Sequence, residues 1–154
     1  MIETAYLALA DRLALALVAS DFLDRVEELE IDPSAIFTPT GDEDDLVRAA
    51  ALVVLKTGPV RQILGGPAPR YVVERQCRLE LAIAGPERLN GGAFMQAALT
   101  ALAIIPAAAP TLGGVAERLS LGDRTDEDLP PNGTALSLTF TIRVRSSDPL
   151  GCTP

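Results

Sequence analysis

The chain has 154 residues and 48% hydrophobic composition, which is enough to bury one core and too short for two ordinary domains. Its formal net charge of -8 argues against a general nucleic-acid-binding protein, because such proteins need a basic surface to neutralise phosphates. With no histidine and two cysteines, the chain has too few ligands for the usual transition-metal sites, and a disulfide framework is not expected.

No secretory leader or membrane span is expected from the apolar segments. The first carries Asp11 and Arg12, and the second is interrupted by Gln96, Thr100 and Pro106. We therefore predict a cytoplasmic soluble protein that makes no membrane contact.

The N-terminal third of the chain begins with a predicted helix over residues 3–19, where apolar residues recur at helical spacing without an internal Gly or Pro. The acidic segment 21–32 allows either a second short helix or a strand over residues 26–31. Prolines at positions 33 and 39 and the acidic cluster 42–45 then indicate an irregular stretch.

Two strands follow as an antiparallel hairpin. Residues 49–58 are rich in branched side chains, and residues 60–64 can continue this strand past a bend at Gly58-Pro59. After a glycine-rich turn, residues 71–84 alternate between apolar and polar side chains. The alternation predicts a strand with one buried face.

The C-terminal half predicts a helix from an N-cap at Asn90 to about Ile105, a short strand over 115–122 and a polar loop from Asp123 to Pro131. The closing strand has one apolar face, formed by Leu136, Leu138, Phe140, Ile142 and Val144. We divide the chain into a domain over residues 1–145 and a flexible tail over residues 146–154.

Alternating strands of this kind predict an α+β fold in which a mainly antiparallel sheet of about four strands is packed on one face by two helices. The opposite sheet face is polar and is either solvated or docked against another protein. Its predicted members are Glu74, Arg78, Glu80, Thr139, Thr141, Arg143 and Arg145.

No set of residues in the sequence has the spacing of a catalytic, cofactor-binding or metal-binding motif. The paired glycines fit neither a phosphate loop nor a dinucleotide fingerprint, and the acidic clusters lack the spacing of a calcium loop. Serines have no histidine partner, and Lys56 has no matching serine motif. We predict that the protein is not an enzyme and carries no cofactor.

A resemblance spans residues 1–145 in element order. It is carried by the helix from Ile2, an acidic stretch, the strand containing residues 70–74 and 79–83, the helix through residues 95–99, and the acidic segment 123–128 that runs into residues 135–142. In this order the chain resembles the tail terminator proteins of long-tailed bacteriophages and gene transfer agents.

The resemblance implies a homohexameric ring, located in the tail or neck of a virion and made in the host cytoplasm. Such a ring caps the tail tube, stops its polymerisation and offers a surface to the head-side connector; the family has no catalytic residues. Six copies at -8 each would repel DNA that passes through the channel without specific binding, if the acidic residues Asp123, Asp126, Glu127 and Asp128 line it. Our hypothesis for the protein contacts is that four arginines of the sheet meet acidic groups of a neighbour or of the tube: Arg75, Arg78, Arg143 and Arg145.

Three other functions remain open at this point. One is a different phage neck role, such as head closure or tail completion. The second is a small regulatory domain that binds a metabolite at a dimer interface, and the third is a transferase that uses Cys77 or the carboxylates.

Overall fold

The computed structural model describes residues 1–32, 46–86, 90–129 and 133–154. The acidic cluster 42–45, the prolines at 33 and 39, and Pro130 to Asn132 lie outside the described residues. The elements in chain order are helix α1 (Ile2–Ala19), a 3-10 turn (Val26–Glu28), β1 (Leu29–Ile31), β2 (Val47–Ile63), β3 (Arg70–Ala84), α2 (Gly91–Ala103), α3 (Ile105–Ala108), β4 (Arg118–Leu129) and β5 (Gly133–Ser146).

The fold is α+β, as the sequence predicts. One five-stranded sheet has the order β1-β2-β3-β5-β4, with β1 parallel to β2 and the other neighbours antiparallel. The sequence predicts about four strands, and the short strand β1 is the fifth. It also settles the alternatives for residues 26–31, which form a 3-10 turn followed by a strand.

Helices α1 and α2 contact each other and pack on one face of the sheet. This face, called here the helix face, presents the apolar members of the alternating strands, so that Cys77 lies opposite Phe140 and Leu79 opposite Leu138. All four side chains are at most 3% exposed. The core is therefore a layer of aliphatic side chains, with few aromatic rings, between one sheet and two helices.

Strand β2 is one continuous strand with two irregularities, between Val54 and Lys56 and between Pro59 and Arg61. Proline is tolerated here because β1 pairs with β2 only at residues 50–52, which leaves the second half of β2 at the sheet edge. Each irregularity skips one apolar residue, Leu55 or Val60, and these are 44% and 53% exposed.

The prediction of a polar loop over residues 123–128 is wrong, because these residues belong to strand β4 and pair with β5. The register shifts between Leu121 and Arg124. Such a bulge, followed by charged residues on an edge strand, removes the apolar alternation that identifies a strand in a sequence.

The last residues of the chain, which the sequence analysis predicts to be a flexible tail, form hydrogen bonds with one another and with the start of α1. Ser146 belongs to β5 and is 1% exposed, and Asp148 accepts hydrogen bonds from three backbone N–H groups of the tail. The N–H of Ile2 donates to the carbonyl of Gly151 at 2.8 Å. The tail thus closes against the start of α1.

Helix α2 follows Asn90, which occupies the N-cap position but makes no capping hydrogen bond with its side chain. Residues 91–108 satisfy a length and composition test for a membrane-crossing helix, with a mean hydropathy of 1.5. This is weak evidence, because the segment is divided into α2 and α3 and its stripe of Met95, Ala98 and Leu102 is buried in the core.

Candidate protein interface on the outer sheet face

The face of the sheet opposite the helices, called here the outer face, brings three of the predicted interface arginines together. Antiparallel pairing places Arg143 directly opposite Glu74 and Arg78 opposite Thr139. Arg145 follows two residues after Arg143 and therefore points to the same face. The alternation of apolar and polar side chains along β3 and along β5 is enough to explain this arrangement.

Each of these arginines is paired with a carboxylate of the same chain. Nε and Nη2 of Arg143 donate to Oε1 of Glu74 at 2.9 and 2.5 Å. Arg78 donates through Nε to Glu80 at 2.8 Å, and Arg145 donates through Nε and Nη2 to Glu117 at 3.1 and 3.0 Å. The outer face is thus an array of opposite charges.

These ion pairs give the isolated chain little stability. The side chains of Arg78, Arg143 and Arg145 are 38%, 40% and 56% exposed, and partly exposed pairs contribute only about 0.2–1 kcal/mol each. A guanidinium has five N–H donors, so the observed bonds leave donors for an additional acceptor. Their arrangement suits recognition of a second surface better than support of the fold.

Sequence reasoning missed one member of this face, Arg118. It lies opposite Arg143 across the β4–β5 pair and lines a polar cleft of about 220 Å³ together with Glu74, Ser120 and Thr141. A signal is present in the sequence, because the apolar Leu119 and Leu121 alternate with Arg118 and Ser120, and successive side chains of a strand point to opposite faces.

The fourth predicted arginine, Arg75, lies on the helix face, so its predicted grouping with Arg78 and Arg143 is wrong. Its Nη1 donates to Glu3 of α1 at 2.6 Å and its Nε to the hydroxyl of Thr57 at 2.9 Å. The guanidinium also stacks 5.1 Å from the centre of the Tyr6 ring. With its side chain 13% exposed, Arg75 ties α1 to the sheet.

The four acidic residues of β4 do not converge on one surface. Asp126 and Asp128 lie opposite Leu136 and Thr134 and so point to the helix side, whereas Glu127 lies opposite Ala135 and points to the outer side. Asp123 lies within the register shift. All four are exposed, so β4 is an acidic strand at the sheet edge.

Two side chains with acid–base chemistry, Cys77 and Tyr6, lie in the core. Burial raises the pKa of the Cys77 thiol to about 12, so the nucleophilic thiolate is scarce near neutral pH. Burial, together with a hydrogen bond from Tyr6 to Asp32 at 3.0 Å, raises the pKa of Tyr6 above its ordinary value. Both residues are fully buried.

A second concave surface, called here the α1–β1 groove, lies between helix α1 and the edge strand β1 and encloses about 440 Å³. Its apolar lining is formed by Ala10, Ala14, Leu15, Val26, Leu29 and Ile31. Asp11 and Glu27 lie on its rim. Helix α1 also carries apolar side chains outside its buried stripe, because Leu7 and Leu15 are 47% and 61% exposed.

Among the described residues, no group of three or more acidic or cysteine side chains is arranged to hold a metal ion. Comparison with known proteins adds no assignment, because no protein-family model matches the chain and no curated protein is significantly similar to it.

Proposed function

We propose that this protein is a ring-forming tail terminator, which caps a phage tail tube, stops its polymerisation and joins the tail to the head-side connector. The observation that carries the proposal is the outer face, on which no helix of the described residues packs. Both long helices lie on the opposite face, and the outer face keeps an ordered array of partly exposed arginines and glutamates. Such an array suits docking on another protein.

The charge of the chain supports the same function. A net charge of -8 and an exposed acidic edge at β4 suit a ring through which DNA passes without adhering. The ring would be a homohexamer in the tail or neck of the virion, assembled in the host cytoplasm. No catalytic step and no membrane contact enters this proposal.

The direct test is assembly with the tail tube protein from the same phage genome. Native mass spectrometry and negative-stain images are expected to show a ring, either in the purified protein or on tube ends, and tubes of limited length when the protein is present. Tubes that grow equally long and remain uncapped at a saturating concentration of the protein would contradict the proposal.

The outer face is tested by the double charge reversal Arg78→Glu and Arg143→Glu. We expect loss of tube capping or of ring formation, because the reversed side chains would repel the acidic groups of the tube or of a neighbouring copy that the proposal places against this face. Arg12→Glu is the matched control, since Arg12 is exposed on α1 in the helix layer. Unchanged assembly of the double variant would exclude this face as the contact.

A small ligand-binding regulatory domain is the second candidate, and the α1–β1 groove is what favours it. Its volume of about 440 Å³ is within the range of small-molecule sites, and its lining is mainly apolar. Thermal stabilisation by a compound from a metabolite panel, lost in Leu15→Glu, would favour this candidate.

A further inference from the structure

The tip of the β2–β3 hairpin, residues 60–70, carries exposed apolar side chains. Leu64 is 84% exposed, the largest exposure among the large hydrophobic residues of the described chain, and Val60 is 53% exposed. The tip is also basic, because Arg61 and Arg70 are exposed and residues 55–70 contain no Asp or Glu. The tip, called here the knob, is therefore an exposed apolar surface flanked by positive charges.

The α1–β1 groove has the opposite character. Its lining is apolar, with Leu15 61% and Ile31 45% exposed, and its rim carries Asp11 and Glu27. The segment 21–32 that borders it contains six acidic residues and one basic residue, Arg25, which already pairs with Glu28 at 3.4 Å. The groove is therefore an apolar surface with a negative rim.

The knob and the groove of one chain cannot reach each other. Strand β1 pairs with β2 as far as Leu52, and Leu64 follows twelve residues later along the same hairpin, a span of roughly 40 Å at the rise of a β-strand. Any contact between the two surfaces must join different copies. Because it joins two different patches, it is a head-to-tail contact, which closes into a ring when the rotation permits.

We propose that the hairpin tip of one copy docks in the α1–β1 groove of the next copy. Leu64 is the apolar anchor, and Arg61 and Arg70 face the acidic rim around Glu27. The contact rests on the proposed function in that it forms the lateral joint of the ring. It leaves the outer sheet face free for the tube or the connector.

Disulfide trapping tests the contact directly. In a Cys152→Ser background, which removes the exposed native thiol, the pair Leu15→Cys and Leu64→Cys is introduced and the protein is oxidised. A ladder of covalent multimers larger than the dimer is expected, because every copy contributes one thiol to each neighbour. Either cysteine alone should give no ladder, and neither should Leu64→Cys combined with Ile104→Cys, since Ile104 is as exposed as Leu15 but lies at the end of α2.

Charge exchange gives a second readout that does not depend on thiol chemistry. Arg61→Glu and Glu27→Arg should each weaken self-association about tenfold or more in sedimentation experiments, and the double variant should recover most of it. Both side chains are exposed, so the fold should tolerate these changes. Additive losses without recovery would overturn the proposal.

The outcomes separate this contact from the proposed function. An oligomer seen by native mass spectrometry that gives no disulfide ladder overturns the hairpin contact and leaves the ring standing. A chain that stays monomeric at every concentration and on tail tubes overturns both. A metabolite that occupies the groove without weakening self-association would make the groove a ligand site and overturn its role in docking.

Discussion

Gly151 shows how a single residue holds the chain's end in place. Its φ of +78° is in the left-handed region, and a Cβ there would lie 3.1 Å from Cβ of Ile2 and 3.2 Å from Cγ1 of Val73. Both of these residues are buried in the core. Glycine is thus required at this position by backbone conformation and by close packing together.

Gly151→Ala is expected to lower the free energy of unfolding by about 2–3 kcal/mol, from the left-handed backbone and the crowding together. Gly113→Ala is the matched control, because Gly113 has a φ of +76° and its nearest contact would be the Arg12 side chain at 3.8 Å. The control should lose about 1 kcal/mol. Urea unfolding measures both, and equal losses would show that packing against Ile2 is unimportant.

The raised pKa values of Cys77 and Tyr6 predict that the protein loses stability at alkaline pH. Burial raises the pKa of Cys77 from 9.0 to about 12 and that of Tyr6 well above 10.0, so the unfolded chain releases these protons at lower pH than the folded chain. The free energy of unfolding is therefore constant below about pH 9 with respect to these groups and falls as pH rises further.

For each of the two groups, the free energy of unfolding should fall by at most about 1.4 kcal/mol per pH unit. Urea unfolding at a series of pH values measures this slope. Cys77→Val should remove the part of the decline that begins near pH 9.0, the ordinary thiol value. Cys152→Ser, which removes an exposed thiol, should not. A decline that is the same in all three proteins would contradict the assignment to Cys77.

At the scale of elements, the two ends of the chain and the hairpin are joined through α1. Glu3 and Tyr6 of α1 hold Arg75 of β3, and the Tyr6 hydroxyl lies 3.2 Å from the Leu52 carbonyl of β2. The tail adds the bond between Ile2 and Gly151. Helix α1 is therefore fixed by polar contacts to β2, to β3, to the tail and to Asp32 after β1, in addition to its apolar stripe.

The tail depends on the carboxylate of Asp148, which accepts from the N–H of Leu150 at 2.8 Å and of Thr153 at 2.7 Å. Asp148→Asn should speed amide hydrogen exchange at residues 150–153 and at Ile2. Asp126→Asn, which changes an exposed acid paired with Arg124, is the control and should leave these amides unchanged. Retained protection in Asp148→Asn would mean that Gly151 packing alone orders the tail.

Acidic pH should weaken the hydrogen bonds that Asp148 accepts from residues 150–153. Hydrogen bonds from Thr153, followed by those from Cys152 and Leu150, hold the pKa of Asp148 well below its ordinary value of 3.8. The stabilisation is present above pH 3.8 and is lost as the pH falls below that value toward the folded-state pKa. Amide resonances of Ile2 and Thr153 report this loss in an NMR titration.

At the scale of the whole molecule, the charge predicts weak interaction with DNA. Because the net charge is -8, fluorescence anisotropy with duplex DNA should show no binding at physiological salt, both for the single chain and for an assembled ring. The measurement separates a channel that DNA traverses from a specific binding surface. Salt-dependent binding of the ring would contradict the proposed channel.

Much of the fold was predictable because the signals in β3, β5 and α1 are local. Strict alternation assigns Leu138 and Phe140 to one face and Arg143 to the other, and helical spacing assigns Leu9 and Leu13 to the core. The α+β class and the grouping of Arg78, Arg143 and Arg145 follow from these periods. The periodicity of the sequence specifies which face of a strand or helix each side chain occupies.

The sequence by itself therefore determined the layers of this protein: which segments are long helices and strands, and which side chains each turns toward the core. The tertiary structure decided which segments form the edge strands of the sheet and how the C-terminal tail packs. Strand β4 exists because β5 supplies hydrogen-bond partners to charged residues past a bulge, β1 because three residues align beside β2, and the ordered tail because Gly151 fits against Ile2. Pairing across long separations depends on residues far apart in the chain, and no local period encodes it.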